Sequence, residues 1–119
     1  MNKTLSFLAV VLLALAGTAA QAQTEPPAEI QALLQKHICL TCHKVDQRLI
    51  GPAYKDVAKK KYTNEKIVEL IYKPVPANWP GYPAMAPMTA VPKEDALKIA
   101  GWINSLGGGA KAKATKKKA

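Results

Sequence analysis

Six of the nine prolines in this chain fall between Pro74 and Pro92, and that concentration limits the architecture more than any other feature. Each proline fixes φ, removes a backbone donor and drives the preceding residue out of the helical region, so neither a helix nor a central strand can cross the stretch. It must be a long loop, and a loop of that length inside a small domain is uncommon unless it carries function. The flanking segments have helical spacing. Pro26 and Pro27 suit a helix start, and Ile30, Leu33, Leu34 and Ile38 make one apolar stripe, predicting a first helix that runs into Cys39. Gly51-Pro52 breaks the next segment, after which Tyr54, Val57 and Ala58 with Lys55, Lys59, Lys60 and Lys61 fit a short helix with a lysine-rich outer face. Thr63 reads as the N-cap of a third helix carrying Ile67, Val68, Leu70 and Ile71, which stops before Pro74. Pro92 in a first-turn position, then Glu94 and Asp95, opens a last helix whose stripe is Ala96, Ile99, Ala100, Ile103 and Leu106, ending at Gly107. Trp102 is expected in the core against Leu33 or Leu34, and Gly101 is expected to allow close helix crossing. With no strand pattern and no internal repeat, the fold class is all-α, about four short helices.

The two ends of the chain do not belong to that body. Lys3, the apolar run Leu5 to Ala16 and the small-x-small site Ala20-Gln-Ala22 read as an export signal covering residues 1–22, cleaved before Gln23. The apolar run gives way to Gly17 and Thr18 too early for a membrane span, which needs about 20 apolar residues. Gly107-Gly-Gly109 opens a Gly/Lys-rich tail, residues 107–119, in which residues 110–119 hold five lysines and no acid. Such a segment cannot form a core. It accounts for much of the net charge of +9, so the body is only mildly basic. The remaining domain, residues 23–106, sits near the roughly 70 to 80 residues below which natural proteins add disulfides, metals or another staple. A large apolar cofactor would supply the missing interior.

Cys39-Leu-Thr-Cys42-His43 is a C-x-x-C-H motif, the attachment signature of c-type haem. Two thiols three residues apart can add to the two vinyl groups on one edge of the macrocycle, and the histidine that follows is then within reach of iron. Competing readings are a disulfide, which an oxidising compartment favours, a thioredoxin-like site, which lacks its βαβ setting, and zinc, for which Cys39, Cys42, His43 and His37 are the available donors. His37 lies two residues before a tethered cysteine and is poorly placed to ligate iron from the far face.

Around this motif the sequence resembles the small bacterial class I cytochromes c of the c551/c552 type. The resemblance rests on Cys39-x-x-Cys42-His43, Asp46 and Ile50 to Ala58, on Pro83-Ala-Met85-Ala-Pro87, and on Val91 to Ala96 with Ala100-Gly-Trp102-Ile103, together covering most of residues 28–106. It implies a compact class I cytochrome c fold around one covalently attached haem c. It also implies that His43 is the proximal iron ligand, that the carbonyl of Pro52 accepts the other ring N–H, and that Met85 fills the sixth position. Met88 competes for that last role, but Met85-Ala-Pro87 fits the family pattern better. Trp79 stands where the family often has a tryptophan bonding a haem propionate, with a simple lid residue as the alternative. Ile38 stands where the family commonly has glycine before the first cysteine.

With His43 and Met85 both bound to iron, no coordination position is left for a substrate, which points to an electron carrier and not an enzyme. The expected protein is a monomeric periplasmic carrier of single electrons. Its partners would be periplasmic or membrane-bound redox proteins, met in the brief encounters and small interfaces usual for redox pairs. Lysines among Lys55, Lys59, Lys60, Lys61 and Lys73 could steer it onto acidic docking surfaces. Nucleic acid and stable membrane insertion are not expected. The competing functions are a dedicated haem c subunit of a periplasmic oxidoreductase complex, such as a sulfite- or thiosulfate-oxidising one, and a haem enzyme or gas sensor whose methionine dissociates.

Overall fold

Every regular element in the computed structural model, which describes residues 25–107, is helical. The expected signal, residues 1–22, and the tail beyond Gly107 lie outside the described residues. Four α-helices follow in order: α1 (Ala28–Lys36), α2 (Tyr54–Lys59), α3 (Asn64–Tyr72) and α4 (Lys93–Ser105). Two single 3-10 turns, Cys39–Thr41 and Pro76–Asn78, interrupt the connecting segments.

The helix ends follow from local chemistry. Thr63 caps α3 by accepting a hydrogen bond on its side-chain oxygen from the Lys66 amide at 3.1 Å. Pro92 caps α4 in extended conformation (ψ 142°) instead of entering its first turn, and Glu94 and Asp95 then sit at the positive end of the helix dipole. The first helix departs from expectation. It stops at Lys36, and Ile38 turns into the left-handed region with φ 53° and ψ 23°, so a separate 3-10 turn carries Cys39. Left-handed backbone costs an L-residue roughly 1–2 kcal/mol because Cβ crowds the following carbonyl. That is why glycine suits this position and why the helix cannot continue into the cysteines.

α4 is the central element. Its Ala96, Ile99, Ala100, Trp102 and Ile103 are buried against Ile30 and Leu34 of α1, Tyr54 and Ala58 of α2, and Ile67 and Val68 of α3. Trp102 is a core residue as expected, but the aromatic ring it meets is Tyr54, edge-on at 5.2 Å. Gly101 is not required for close crossing, since a methyl there would meet only Asn64 Nδ2 at 3.8 Å. Polar ties complete the frame. Asn104 Nδ2 donates to Tyr62 O (3.0 Å) and to Asn64 Oδ1 (2.8 Å), fixing α4 to the start of α3. Tyr72 Oη donates to Val91 O at 2.8 Å and so closes the proline-rich loop at its far end.

Candidate functional site

The described helices and loops surround a cavity of about 400 Å³, within the range of cofactor pockets, lined almost wholly by apolar side chains. The segment from Cys39 to Tyr54 and the proline-rich loop both contribute to it, as do α3 and α4. Cys39, Cys42, His43, Pro52, Trp79 and Met85, far apart in sequence, all line this single cavity, and so does Met88.

The motif reaches the cavity through its backbone. The 3-10 turn places the Cys42 and His43 amides on the carbonyl of Cys39, at 3.2 and 3.0 Å. Gly51 N–H donates to Cys42 O (2.7 Å) and Tyr54 N–H to Lys44 O (2.9 Å), folding residues 44–54 back beneath the histidine. His43 Nδ1 then donates to Pro52 O at 2.8 Å, which leaves Nε2 as the nitrogen free to bind. Such a bond fixes both tautomer and ring orientation. Burial lowers the His43 pKa, outweighing the Pro52 bond that raises it, and so favours the neutral imidazole. Burial likewise raises the Cys39 thiol above its ordinary value and holds Tyr54 well above its own, with the neighbouring Cys39 adding to the Tyr54 effect.

Two residues that sequence reasoning did not single out hold the His43 ring from its sides. Tyr54 stacks on it with centroids 5.1 Å apart and planes at 22°. Gly51 lies against the other contacts of the ring: a Cβ built there would meet His43 Cε1 at 2.5 Å and Nδ1 at 2.8 Å. The Gly51-Pro52 pair, legible as a helix breaker, is therefore also the seat of the imidazole. Arg48, the one arginine of the chain, was missed as well. Its guanidinium donates to Gly81 O at 2.7 Å and lies 3.8 Å from the Tyr82 ring centroid, pinning the proline-rich loop to the segment that carries His43. Tyr82 meets Trp79 edge-on at 5.9 Å, and Lys60 Nζ lies 4.7 Å from the Trp79 ring while donating to Asn78 O at 3.3 Å. Trp79 thus stands in a stack of cations and rings along the loop.

The two methionines differ in setting. Met88 packs against the core, and its amide donates to Ile71 O at 2.9 Å. Met85 is exposed at the cavity, between Pro83 and Pro87. His37 is turned away: its Nε2 donates to Asp95 Oδ2 at 2.8 Å, where Lys36 also binds at 3.2 Å. Zinc therefore lacks its donor set, and among the described residues no three His, Cys, Asp or Glu side chains come together to hold a metal ion.

No family model matches the chain. Curated relatives do. Cytochrome c-551 of Allochromatium vinosum is 36% identical over 78 residues, covering 62% of this chain and 82% of that protein. The chain belongs to the class I cytochromes c of the c-551/c-552 type. Cytochrome c-551 of Stutzerimonas stutzeri is 31% identical over 99 residues, covering 82% of this chain and 94% of the relative. The crystal structure of wild-type Nitrosomonas europaea cytochrome c552 superposes with a TM-score of 0.59 at 31% identity, covering 64% of this chain and 98% of that one.

Membership makes this cytochrome an electron carrier with one covalently attached haem c, and not an enzyme. The residues present fit that group. The cavity is apolar, as a porphyrin face requires, both thiols of the motif are free at its wall, and an imidazole with one nitrogen committed to Pro52 O stands beside them.

Proposed function

We propose that this cytochrome carries single electrons between redox proteins in the periplasm, with its haem c attached through Cys39 and Cys42 and its iron held between His43 and Met85. Haem c supplies a one-electron couple at its iron. Everything else falls to the polypeptide. Pro52 accepts the Nδ1 proton of His43 and keeps Nε2 unprotonated toward the metal, while Tyr54 and Gly51 hold the ring in that attitude. Met85 contributes a soft thioether, which raises the potential relative to a second histidine. Prolines on both sides stiffen its loop and limit its movement between redox states. Trp79, held by Lys60 and Tyr82, covers the cavity and is suited to meet a propionate through its indole N–H.

The observation that carries this reading is the His43 Nδ1–Pro52 O bond on the wall that also bears both cysteines, with Met85 the exposed thioether of the same cavity. Exposed Ile38, Ile50, Val75 and Met85 line that cavity and supply the apolar contact of a brief redox encounter. Lys60 and Lys73, close to its lining residues, bias that encounter toward acidic surfaces. A monomer suffices for this role. Among the described residues no helix is long and apolar enough to cross a membrane. Export is tested by the mass of the mature protein, expected to begin at Gln23.

Ligation is tested by absorption spectra of oxidised and reduced wild type, Met85→Ala and Met88→Ala. The methionine–iron band disappears in Met85→Ala and persists in Met88→Ala. Loss in Met88→Ala alone overturns the assignment.

A further inference from the structure

We propose that Tyr54 is a positioning residue for electron transfer: its phenol donates a hydrogen bond to the sulfur through which Cys39 holds the haem, and that bond raises the haem potential. The inference rests on the attachment at Cys39 and the ligand His43 proposed above, and not on Met85. Tyr54 lines the cavity and is held on three sides. It opens α2, its amide donates to Lys44 O at 2.9 Å, and its ring meets His43, stacked at 5.1 Å, and Trp102, edge-on at 5.2 Å. Only 5% of the residue is exposed. From that seat its hydroxyl hydrogen-bonds with the side chain of Cys39. A phenylalanine would fill the same space and stack as well, and a buried hydroxyl costs stability unless it is paired. The group that pairs it here is the attachment sulfur of the motif.

The direction of the bond follows from the chemistry of that sulfur. As a free thiol, Cys39 donates to His37 O at 3.7 Å. When a thiol adds across a vinyl group its hydrogen passes to carbon, so the sulfur keeps its lone pairs and has no proton left to give. The contact with His37 O is then lost. The contact with Tyr54 remains, because a phenol is protonated at neutral pH and donates to the thioether. Its hydrogen carries partial positive charge and is aimed at the edge where the macrocycle is attached. Oxidation adds a positive charge to that group, and in an apolar cavity such charges are poorly screened from one another. The phenol therefore disfavours the oxidised state. Its stack on His43 fixes the ring that carries it, so the hydroxyl cannot swing away from the sulfur without leaving the proximal ligand.

The test is a redox titration of the full-length, haem-loaded protein as wild type, Tyr54→Phe and Trp102→Phe. Tyr54→Phe keeps the stack and removes only the hydroxyl, so its midpoint potential falls. At a fixed ambient potential its ratio of reduced to oxidised protein drops by about two- to ten-fold, the range a single hydrogen bond spans. The carbon–sulfur stretch of the Cys39 thioether, read by resonance Raman, shifts in the same variant. Trp102→Phe loosens the packing on the edge of Tyr54 but leaves its hydroxyl, and keeps both the wild-type potential and the wild-type stretch. An unchanged potential in Tyr54→Phe with the thioether intact overturns this inference and leaves the proposed attachment and ligation standing. An equal fall in Trp102→Phe also overturns it, because packing and not the phenol would then set the potential. A wild-type protein in which Cys39 remains a free thiol, detected by alkylation and mass, overturns both this inference and the attachment beneath it.

Discussion

Substituting Gly51 by alanine tests the mounting of His43 directly, because the methyl must occupy space that the imidazole already fills. The contacts would be 2.5 Å to Cε1, 2.8 Å to Nδ1 and 3.1 Å to Nε2. Carbon atoms prefer roughly 3.5–4.0 Å, so about 1 Å of movement is demanded. The ring has little freedom to supply it, being stacked on Tyr54 at 5.1 Å and bonded to Pro52 O at 2.8 Å. Overpacking of a filled site costs about 1–3 kcal/mol and loss of the Pro52 bond about 0.5–1.5 kcal/mol, giving an expected destabilisation of about 1.5–4.5 kcal/mol for Gly51→Ala. Denaturant unfolding of the haem-loaded protein, followed by far-UV dichroism and by haem absorbance, measures it. Gly101→Ala is the internal control. Its methyl would meet only Asn64 Nδ2 at 3.8 Å, so the helix propensity gain of about 1 kcal/mol should appear as stabilisation. If Gly51→Ala unfolds at the wild-type midpoint, the argument that this glycine seats the histidine is wrong.

Two further outcomes follow from the turn between α1 and the first cysteine. Ile38→Gly removes left-handed strain worth roughly 1–2 kcal/mol and costs about 0.5–1 kcal/mol of added chain entropy, so unfolding shifts to slightly higher denaturant; a clear loss of stability would show that the exposed isoleucine is held by contacts stronger than its strain. His37 and Lys36 hydrogen-bond the Asp95 carboxylate and hold its pKa below the ordinary 3.8. A carboxyl depressed in the folded state stabilises above the unfolded pKa and loses that contribution as pH falls through the folded value. Asp95→Asn should therefore melt below wild type near neutrality, with the gap closing under acid conditions below about pH 4. A gap in melting temperature that stays constant from neutral to acid pH would show that the pair does not act through this proton.

What the sequence settled is what lies close together along the chain. The C-x-x-C-H motif is five consecutive residues, and it is legible from that spacing alone. The proline cluster forces a loop whatever surrounds it, and the stripes of α1, α3 and α4 each declare a buried face through their own periodicity. Thr63 likewise needs only Lys66, three residues on, to cap a helix. The tertiary structure decided everything that depends on distant segments meeting. Only the folded chain shows that Tyr54 and Gly51 grip the imidazole, that Arg48 fastens the loop at Gly81 and Tyr82, that His37 belongs to Asp95, and that of the two methionines lining the cavity Met88 also packs against the core while Met85 is exposed. Ile38 marks the boundary between the two. Its stripe position extends the helix, yet the cysteines must leave the helix axis to face the cavity, and a left-handed isoleucine is the backbone's way of meeting that demand. Periodicity reports a residue's preference for a buried face; which atoms meet there is set by packing between segments that the sequence does not place side by side.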